Sequence, residues 1–230
     1  MLIFTRTACL GGDCTQLKIG TKHDFHNQQK IRVDMFVDVV INGAQKPNKE
    51  ILLSLLKDPN ETGGIYSQSE EFRWLSVNEQ PQYIFMDNYS ELVDKKIIHK
   101  DGWSFCGIYS DFKPEAFADG TLTDYNLLPI DQLFNYYNLF FEYIKNRWNV
   151  PIIFMHFPTT LDHRELYIKQ GKAITDTLNI LSEKYNIIFL YTIYICETPV
   201  VPLSEDAQSG KNDKKIINPL KRLKRKLTAR

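Results

Sequence analysis

Short apolar segments, rich in β-branched and aromatic residues, recur along the chain and are separated by stretches whose apolar residues have helical spacing. Such segments predict strands at 2–9, 33–41, 83–86, 151–155 and 187–195. Strands that alternate with helices favour a mostly parallel sheet with helices on both faces. The expected fold class is therefore α/β, built as a three-layer sandwich.

Helices are expected in the intervals between these strands. The spacing predicts a short helix over Lys49 to Leu56, which Asp58-Pro59 would end. Apolar residues also recur at helical spacing in two longer stretches, 130–148 and 164–185. Residues 96–110 predict a hairpin, a helical turn is expected at 70–76, and the stretch 111–127 is rich in turn residues.

Ligands of parallel α/β sheets bind beyond the carboxyl ends of the strands. The residues that follow the first four expected strands are therefore candidates for a site. They are Gly12-Asp13-Cys14, Asn42-Gly43, Asp87-Asn88 and His156.

Cys14 stands in the turn Gly11-Gly12-Asp13-Cys14, at the end of the first expected strand. Glycine lets the backbone turn sharply and lets a substrate come close. A helix that began at Cys14 would direct free N–H groups at the thiol and favour the thiolate. The alternative is that Cys14 is a small, inert residue that fills a tight turn.

These candidate residues together support acyl transfer. Cys14 could attack an acyl carbon while His156 accepts its proton. The backbone N–H of Gly43 and the amide of Asn88 could stabilise the oxyanion, and such donors contribute roughly 2.7–4 kcal/mol each. Structural roles are the alternatives: Gly43 as a turn residue, Asp13, Asp87 or Asn88 as caps of a turn or helix, and His156 as a buried histidine whose hydrogen bonds are satisfied.

The pattern of Gly12, Asp13 and Cys14 after the first strand, Gly43 after the second and Asn88 after the third resembles the SGNH (GDSL-type) hydrolase superfamily. The resemblance is greatest to SGNH-like proteins of bacterial capsule and surface-polysaccharide biosynthesis, with cysteine in place of the nucleophilic serine. It implies a flavodoxin-like sheet over roughly residues 1–195. It also implies a glycan as the acyl acceptor.

SGNH enzymes usually carry their catalytic histidine after the last strand, but no histidine follows His163 in this chain. Either His156 or His163 has taken that role, or the site is not catalytic. His163 also fits a structural position at the start of a helix. His23 and His26 are three residues apart, but no further ligand accompanies them, so we expect a surface loop and no metal site.

The N-terminal sequence has no apolar stretch of secretory length, and no apolar run is long enough to span a bilayer. The expected location is therefore cytoplasmic. The four cysteines, Cys9, Cys14, Cys106 and Cys196, form no CxxC pair or zinc pattern and are expected to be reduced thiols.

The C-terminal segment 211–230 is strongly basic. It contains nine Lys or Arg residues and one acid, a net charge of +8 in a chain whose total is zero. Its apolar residues are spaced three or four apart, which predicts a basic amphipathic helix that could bind an anionic membrane surface. The basic residues that would carry this contact include Lys221, Arg222, Lys224, Arg225 and Lys226.

The sequence thus predicts an SGNH-like domain over 1–198, with a hairpin insertion about 96–110, and a polar linker with a basic tail over 199–230. The leading hypothesis is an acyltransferase or esterase that acts on a glycan, with acyl-CoA as a possible donor and no permanently bound cofactor. The alternative is a non-catalytic glycan- or partner-binding protein held at the inner face of the membrane by its tail. No nucleic-acid partner is expected.

Overall fold

The computed structural model describes residues 2–8, 24–28, 30–58, 65, 68–69, 78–159 and 163–191, all of which lie in the unit that spans residues 1–194. The strands are β1 (Leu2–Arg6), β2 (Asp24–Asn27), β3 (Tyr83–Asp87), β4 (Lys95–His99), β5 (Ser104–Gly107), β6 (Leu122–Asn126), β7 (Ile152–His156) and β8 (Ile187–Tyr191). The α-helices are α1 (Val33–Phe36), α2 (Lys49–Leu55), α3 (Tyr89–Val93), α4 (Glu115–Ala118), α5 (Leu133–Arg147) and α6 (Glu165–Ser182). A π-helical segment, Val37–Ile41, continues α1, and two 3-10 turns lie at Tyr109–Asp111 and Ile130–Gln132.

The main sheet has five strands in the order β2-β1-β3-β7-β8, and each neighbouring pair is parallel. Counted within this sheet alone, the order is 2-1-3-4-5, which is the doubly wound order of flavodoxin-like proteins. The predicted fold class, α/β with a mostly parallel sheet flanked by helices, is confirmed.

The larger hydrophobic core lies on one face of this sheet. Alternate strand residues, such as Phe4, Met86 and Phe154, are fully buried there against residues of α1, α5 and α6. In α5 the buried positions recur at helical spacing (Leu133, Tyr137, Phe140, Phe141, Ile144). This spacing gives α5 one apolar face, which explains why the sequence alone predicted the helix.

A second sheet has three antiparallel strands in the order β5-β4-β6. Strands β4 and β5 form a hairpin where the sequence predicted one. This sheet packs around a second core that contains Trp103, Phe105, Phe112 and residues of α2. Strand β6 and helix α4 lie in the stretch that the sequence presented only as turn-rich.

The prediction of a strand over 33–41 is wrong, because these residues form α1 and its π-helical continuation. A run of β-branched and apolar residues is compatible with a buried strand or a buried helix. Here Val33, Phe36 and Val37 are fully buried, at the spacing of one helix face. Packing against α5 therefore overrides the strand propensity of valine.

The second strand of the sheet is instead Asp24–Asn27, which was expected to be a surface loop. It pairs with β1 along the edge of the sheet, with His26 opposite Phe4. Gly43 consequently follows a helix and not a strand. It is exposed, with φ of +73°, and a Cβ placed there would meet nothing within 4 Å.

Three predicted features lie outside the described residues. They are the turn that carries Gly12, Asp13 and Cys14, the helical turn at 70–76, and the basic tail 211–230. Within the part of the chain that the structure describes, no helix has both the length and the apolar character needed to cross a membrane.

Candidate functional site

The strand order puts the topological switch point between β1 and β3, because β2 lies on one side of β1 and β3 on the other. A ligand crevice is expected beyond the carboxyl ends of the strands at this point. Ala8 is the last described residue after β1, six positions before Cys14. Its backbone N–H donates to Asp87 Oδ2 at 2.9 Å. Ala8 therefore lies beside the end of β3.

Asp87, the last residue of β3, is 2 % exposed and connects the end of β1 to the start of α3. Its Oδ2 accepts from Ala8, and its Oδ1 accepts from the backbone N–H of Tyr89 at 3.0 Å, the first residue of α3. Burial raises the pKa of Asp87 to about 6, although these two N–H groups and Arg6 lower it. Asp87 thus accepts the N–H of the first residue of α3, and it fixes the position at which the chain leaves β1.

Asn88 does not cap α3 with its side chain. Its Oδ1 instead accepts from the backbone N–H of Phe157 at 2.6 Å, which connects the end of β3 to the end of β7. Because a backbone N–H can only donate, this contact identifies the facing atom as oxygen and leaves Nδ2 as the side-chain group that can donate to a ligand. The ring centroids of Tyr89 and Phe157 lie 4.8 Å apart beside this contact.

His156 is the last residue of β7 and is 8 % exposed. Its ring lies between Phe154 and Phe189, with centroid distances of 5.3 and 5.4 Å. Its Nδ1 is 3.3 Å from Thr175 Oγ1, and that hydroxyl also donates to the Gly171 carbonyl at 3.0 Å.

The two contacts of the Thr175 hydroxyl are compatible with both tautomers of His156. A hydroxyl that donates to Gly171 accepts from Nδ1–H, which makes Nε2 the basic nitrogen, whereas a hydroxyl that donates to Nδ1 places the ring hydrogen on Nε2. Burial lowers the pKa of His156 to about 4, so the ring is neutral at pH 7.

A buried ion pair lies beside the same strand ends. Arg6, at the end of β1, pairs with Glu91 of α3, and the two side chains are 2 % and 0 % exposed. Arg6 Nε also donates to the Ile31 carbonyl at 2.6 Å, and Nη1 donates to the Asp87 carbonyl at 3.3 Å. Glu91 Oε1 accepts from the backbone N–H of Val33 at 2.8 Å. The pair therefore holds together β1, β3, α3 and the start of α1.

The structure brings together some of the residues that the sequence singled out. Asp87 and Asn88 lie at the carboxyl end of β3, and Asn88 forms a hydrogen bond with the residue that follows His156. Gly43 lacks the strand-end position on which its expected role depended. His163 is exposed, just before α6, and Cys14 lies outside the described residues.

Sequence reasoning missed Arg6, Glu91, Tyr137 and Thr175. Arg6 carried a signal, because a charged residue inside an apolar strand requires a buried partner. Tyr137 adjoins the same charges, and burial and Glu91 together raise the pKa of its hydroxyl well above the usual value. Nothing local in the sequence marks Thr175 as the partner of His156.

The described residues include no group of three or more His, Cys, Asp or Glu side chains arranged to hold a metal ion. His26 lies at the sheet edge with its ring centroid 6.0 Å from that of Phe4.

No protein-family model matches the sequence, and no curated protein matches it. One similar solved structure is the acetyl xylan esterase Est2A from the rumen bacterium Butyrivibrio proteoclasticus, with a TM-score of 0.34 and 12 % sequence identity. The similarity covers 83 % of this chain and 54 % of that chain, so this protein spans about half of the esterase's length. A TM-score this low establishes no shared activity.

Proposed function

We propose that the crevice at the carboxyl ends of β1, β3 and β7 carries out acyl transfer or ester hydrolysis through Cys14, with a glycan as the acyl acceptor. The observation that carries the proposal is the pair of hydrogen bonds, Ala8 to Asp87 and Phe157 to Asn88, that joins these strand ends at the switch point of the sheet. The resemblance of Gly12-Asp13-Cys14 and Asn88 to the SGNH pattern supports the same chemistry.

The proposed reaction has two steps. In the first, the thiol proton of Cys14 passes to His156 Nε2, sulfur bonds to the acyl carbon, and the leaving group departs with that proton. In the second, His156 removes a proton from a sugar hydroxyl or from water, whose oxygen takes the acyl group, and the thiol is regenerated. An acyl ester or an acyl-CoA would supply the acyl group.

Two observations support the assigned roles. A Thr175 hydroxyl that donates to Gly171 would leave Nε2 as the basic nitrogen of His156, and the lowered pKa of His156 keeps the ring neutral at pH 7. The contact with Phe157 fixes the amide of Asn88, so its Nδ2 can donate to an oxyanion without reorganisation. Asp87 contributes by holding the end of β1 close to the end of β3.

The proposal is tested by acylation of the full chain. We expect p-nitrophenyl acetate to acetylate Cys14, which peptide mass spectrometry would locate. His156→Gln should slow acetylation by about 10²–10⁴-fold, the usual contribution of a general base. Thr175→Val should slow it and change its pH profile, because the hydroxyl that contacts His156 Nδ1 is lost.

Cys106→Ala is the matched control. Cys106 is fully buried in β5, and burial raises the pKa of its thiol, so the substitution should leave acetylation unchanged. Equal labelling of folded Cys14→Ala protein would contradict the proposal. So would a His156→Gln variant that reacts as fast as the wild type.

The alternative function is a non-catalytic glycan- or partner-binding protein. The burial of His156 favours it, because a general base must reach the proton that it removes. A folded protein that binds oligosaccharide in isothermal calorimetry but forms no acetyl-Cys14 would support this alternative.

We also propose that the tail 211–230 binds anionic membrane surfaces. Each basic residue near such a surface contributes on the order of 1 kcal/mol. Co-sedimentation with phosphatidylserine vesicles should therefore be lost when residues 211–230 are removed. Unchanged sedimentation of the truncated chain would rule out this anchor.

A further inference from the structure

A polar pocket of about 310 Å³ lies between the start of α1, strands β4 and β6, and the start of α5. Arg32, Asp34, Lys96, Gln132 and Tyr136 line it, and neither Asn88 nor His156 does. Its volume lies at the lower end of the range of ligand sites, about 300–1,000 Å³, so it fits one small molecule.

The floor of the pocket is a buried ion pair with fixed geometry. Arg32 binds Asp34 through two parallel hydrogen bonds of 2.9 and 2.6 Å, and the two side chains are 1 % and 3 % exposed. The same guanidinium donates to the backbone carbonyls of Asp94 at 3.2 Å and Asn126 at 2.8 Å. Arg32 therefore presents little uncompensated positive charge to the pocket.

The second cation of the pocket is also paired. Lys96 Nζ lies 2.6 Å from Asp38 Oδ2. Burial disfavours the charged ammonium, but Asp38 offsets this effect and raises the pKa of Lys96. Each cation that lines the pocket thus has a carboxylate partner, and an anion such as phosphate would meet the Asp34 carboxylate as well as the cations.

We infer that this pocket binds an uncharged, polyhydroxylated ligand the size of one sugar ring. Hydroxyl groups both donate and accept, and the lining residues carry groups of matching kinds: Asp34 has a carboxylate acceptor, Lys96 has an ammonium donor, and Asn126 and Gln132 have amides that can do both. The half-buried ring of Tyr136 adds an apolar surface for the C–H face of a sugar. Binding here requires neither Cys14 nor acyl transfer, so it stands or falls separately from the proposed reaction.

The test is saturation-transfer NMR on the full chain with methyl glucoside, methyl galactoside, methyl mannoside and N-acetylglucosamine as probes. We expect saturation transfer to at least one of these sugars. Gln132→Ala and Tyr136→Ala should each weaken that binding by about five- to tenfold, the effect of one lost contact. Inorganic phosphate should not compete.

Phe134→Ala is the control, because Phe134 is on the same helix, is 47 % exposed and does not line the pocket. It should bind the sugar as the wild type does. The inference is wrong if no sugar receives saturation, if Gln132→Ala and Tyr136→Ala leave binding unaltered, or if phosphate displaces the sugar.

Discussion

The ion pair between Arg6 and Glu91 gives the sharpest test of how the site is supported. Both side chains are buried, and Arg6→Met replaces the cation with an apolar side chain of similar length. Glu91 would keep the Val33 N–H but lose its countercharge. Removal of one partner from a buried pair costs about 3–5 kcal/mol, because the other charge is left without compensation.

In a chain of this length the loss corresponds to a fall in Tm of about 6–20 °C. Urea unfolding followed by circular dichroism measures the change in the free energy of unfolding.

The double variant Arg6→Met/Glu91→Gln separates charge from packing. The introduced amide retains an acceptor for the Val33 N–H, and neither member of the pair remains charged. Replacement of a whole buried pair is often nearly neutral, so the double variant should be more stable than Arg6→Met alone. We expect a coupling energy of about 2 kcal/mol or more in the double-mutant cycle.

The ion pair between Lys30 and Asp111 is the matched control. It has a distance of 2.7 Å, but its side chains are 31 % and 14 % exposed, so Lys30→Met should cost less than about 1 kcal/mol. The reasoning is refuted if Arg6→Met lowers the free energy of unfolding by no more than this control does. It is also refuted if the effects of Arg6→Met and Glu91→Gln are additive in the double variant.

Two further predictions concern stability. Gly107→Ala should destabilise the protein by about 1–3 kcal/mol, because its Cβ would lie 2.7 Å from the fully buried Phe112 ring. Gly43→Ala lies in open space at φ +73°, so it should cost only the strain of the left-handed conformation, about 1–2 kcal/mol. Urea unfolding of both variants measures these two losses of stability. Burial raises the pKa of Asp94 to about 6, so the folded state binds the proton more tightly than the unfolded state and stability falls as pH rises from about 4 to 6. Asp94→Asn should therefore stabilise the protein at pH 8, by up to about 3 kcal/mol, and not at pH 4; an equal effect at both pH values would contradict this explanation.

The sequence predicted the elements whose signal is local. Residues 83–86 and 151–155 are apolar and β-branched because β3 and β7 lie inside the sheet, and the spacing in α5 reflects its single apolar face. Asp87 and Asn88 were identified as strand-end residues for the same reason. A strand's composition and its end are both visible within a few positions of the chain.

Elements whose partners are distant could not be predicted in this way. The segment 33–41 has the composition of a strand, yet it forms a helix because it packs against α5. The ring centroids of Phe36 and Phe140 lie 4.9 Å apart in this contact. Asp24–Asn27 has no apolar pattern, and its strand conformation comes from pairing with β1. In both cases the deciding contact is made by another part of the chain.

The same distinction between local and distant contacts applies to the candidate site. Residue types and their positions after strands are properties of the sequence, and they suffice to suggest acyl chemistry around Cys14, Asn88 and His156. Which atoms meet is a property of the tertiary structure: Asn88 forms a hydrogen bond with a backbone group 69 positions away, and Thr175 Oγ1 lies 3.3 Å from His156 Nδ1. Periodicity and turn residues act over a few bonds, whereas hydrogen bonds and ion pairs between strand ends exist only after the parallel sheet has brought those ends together.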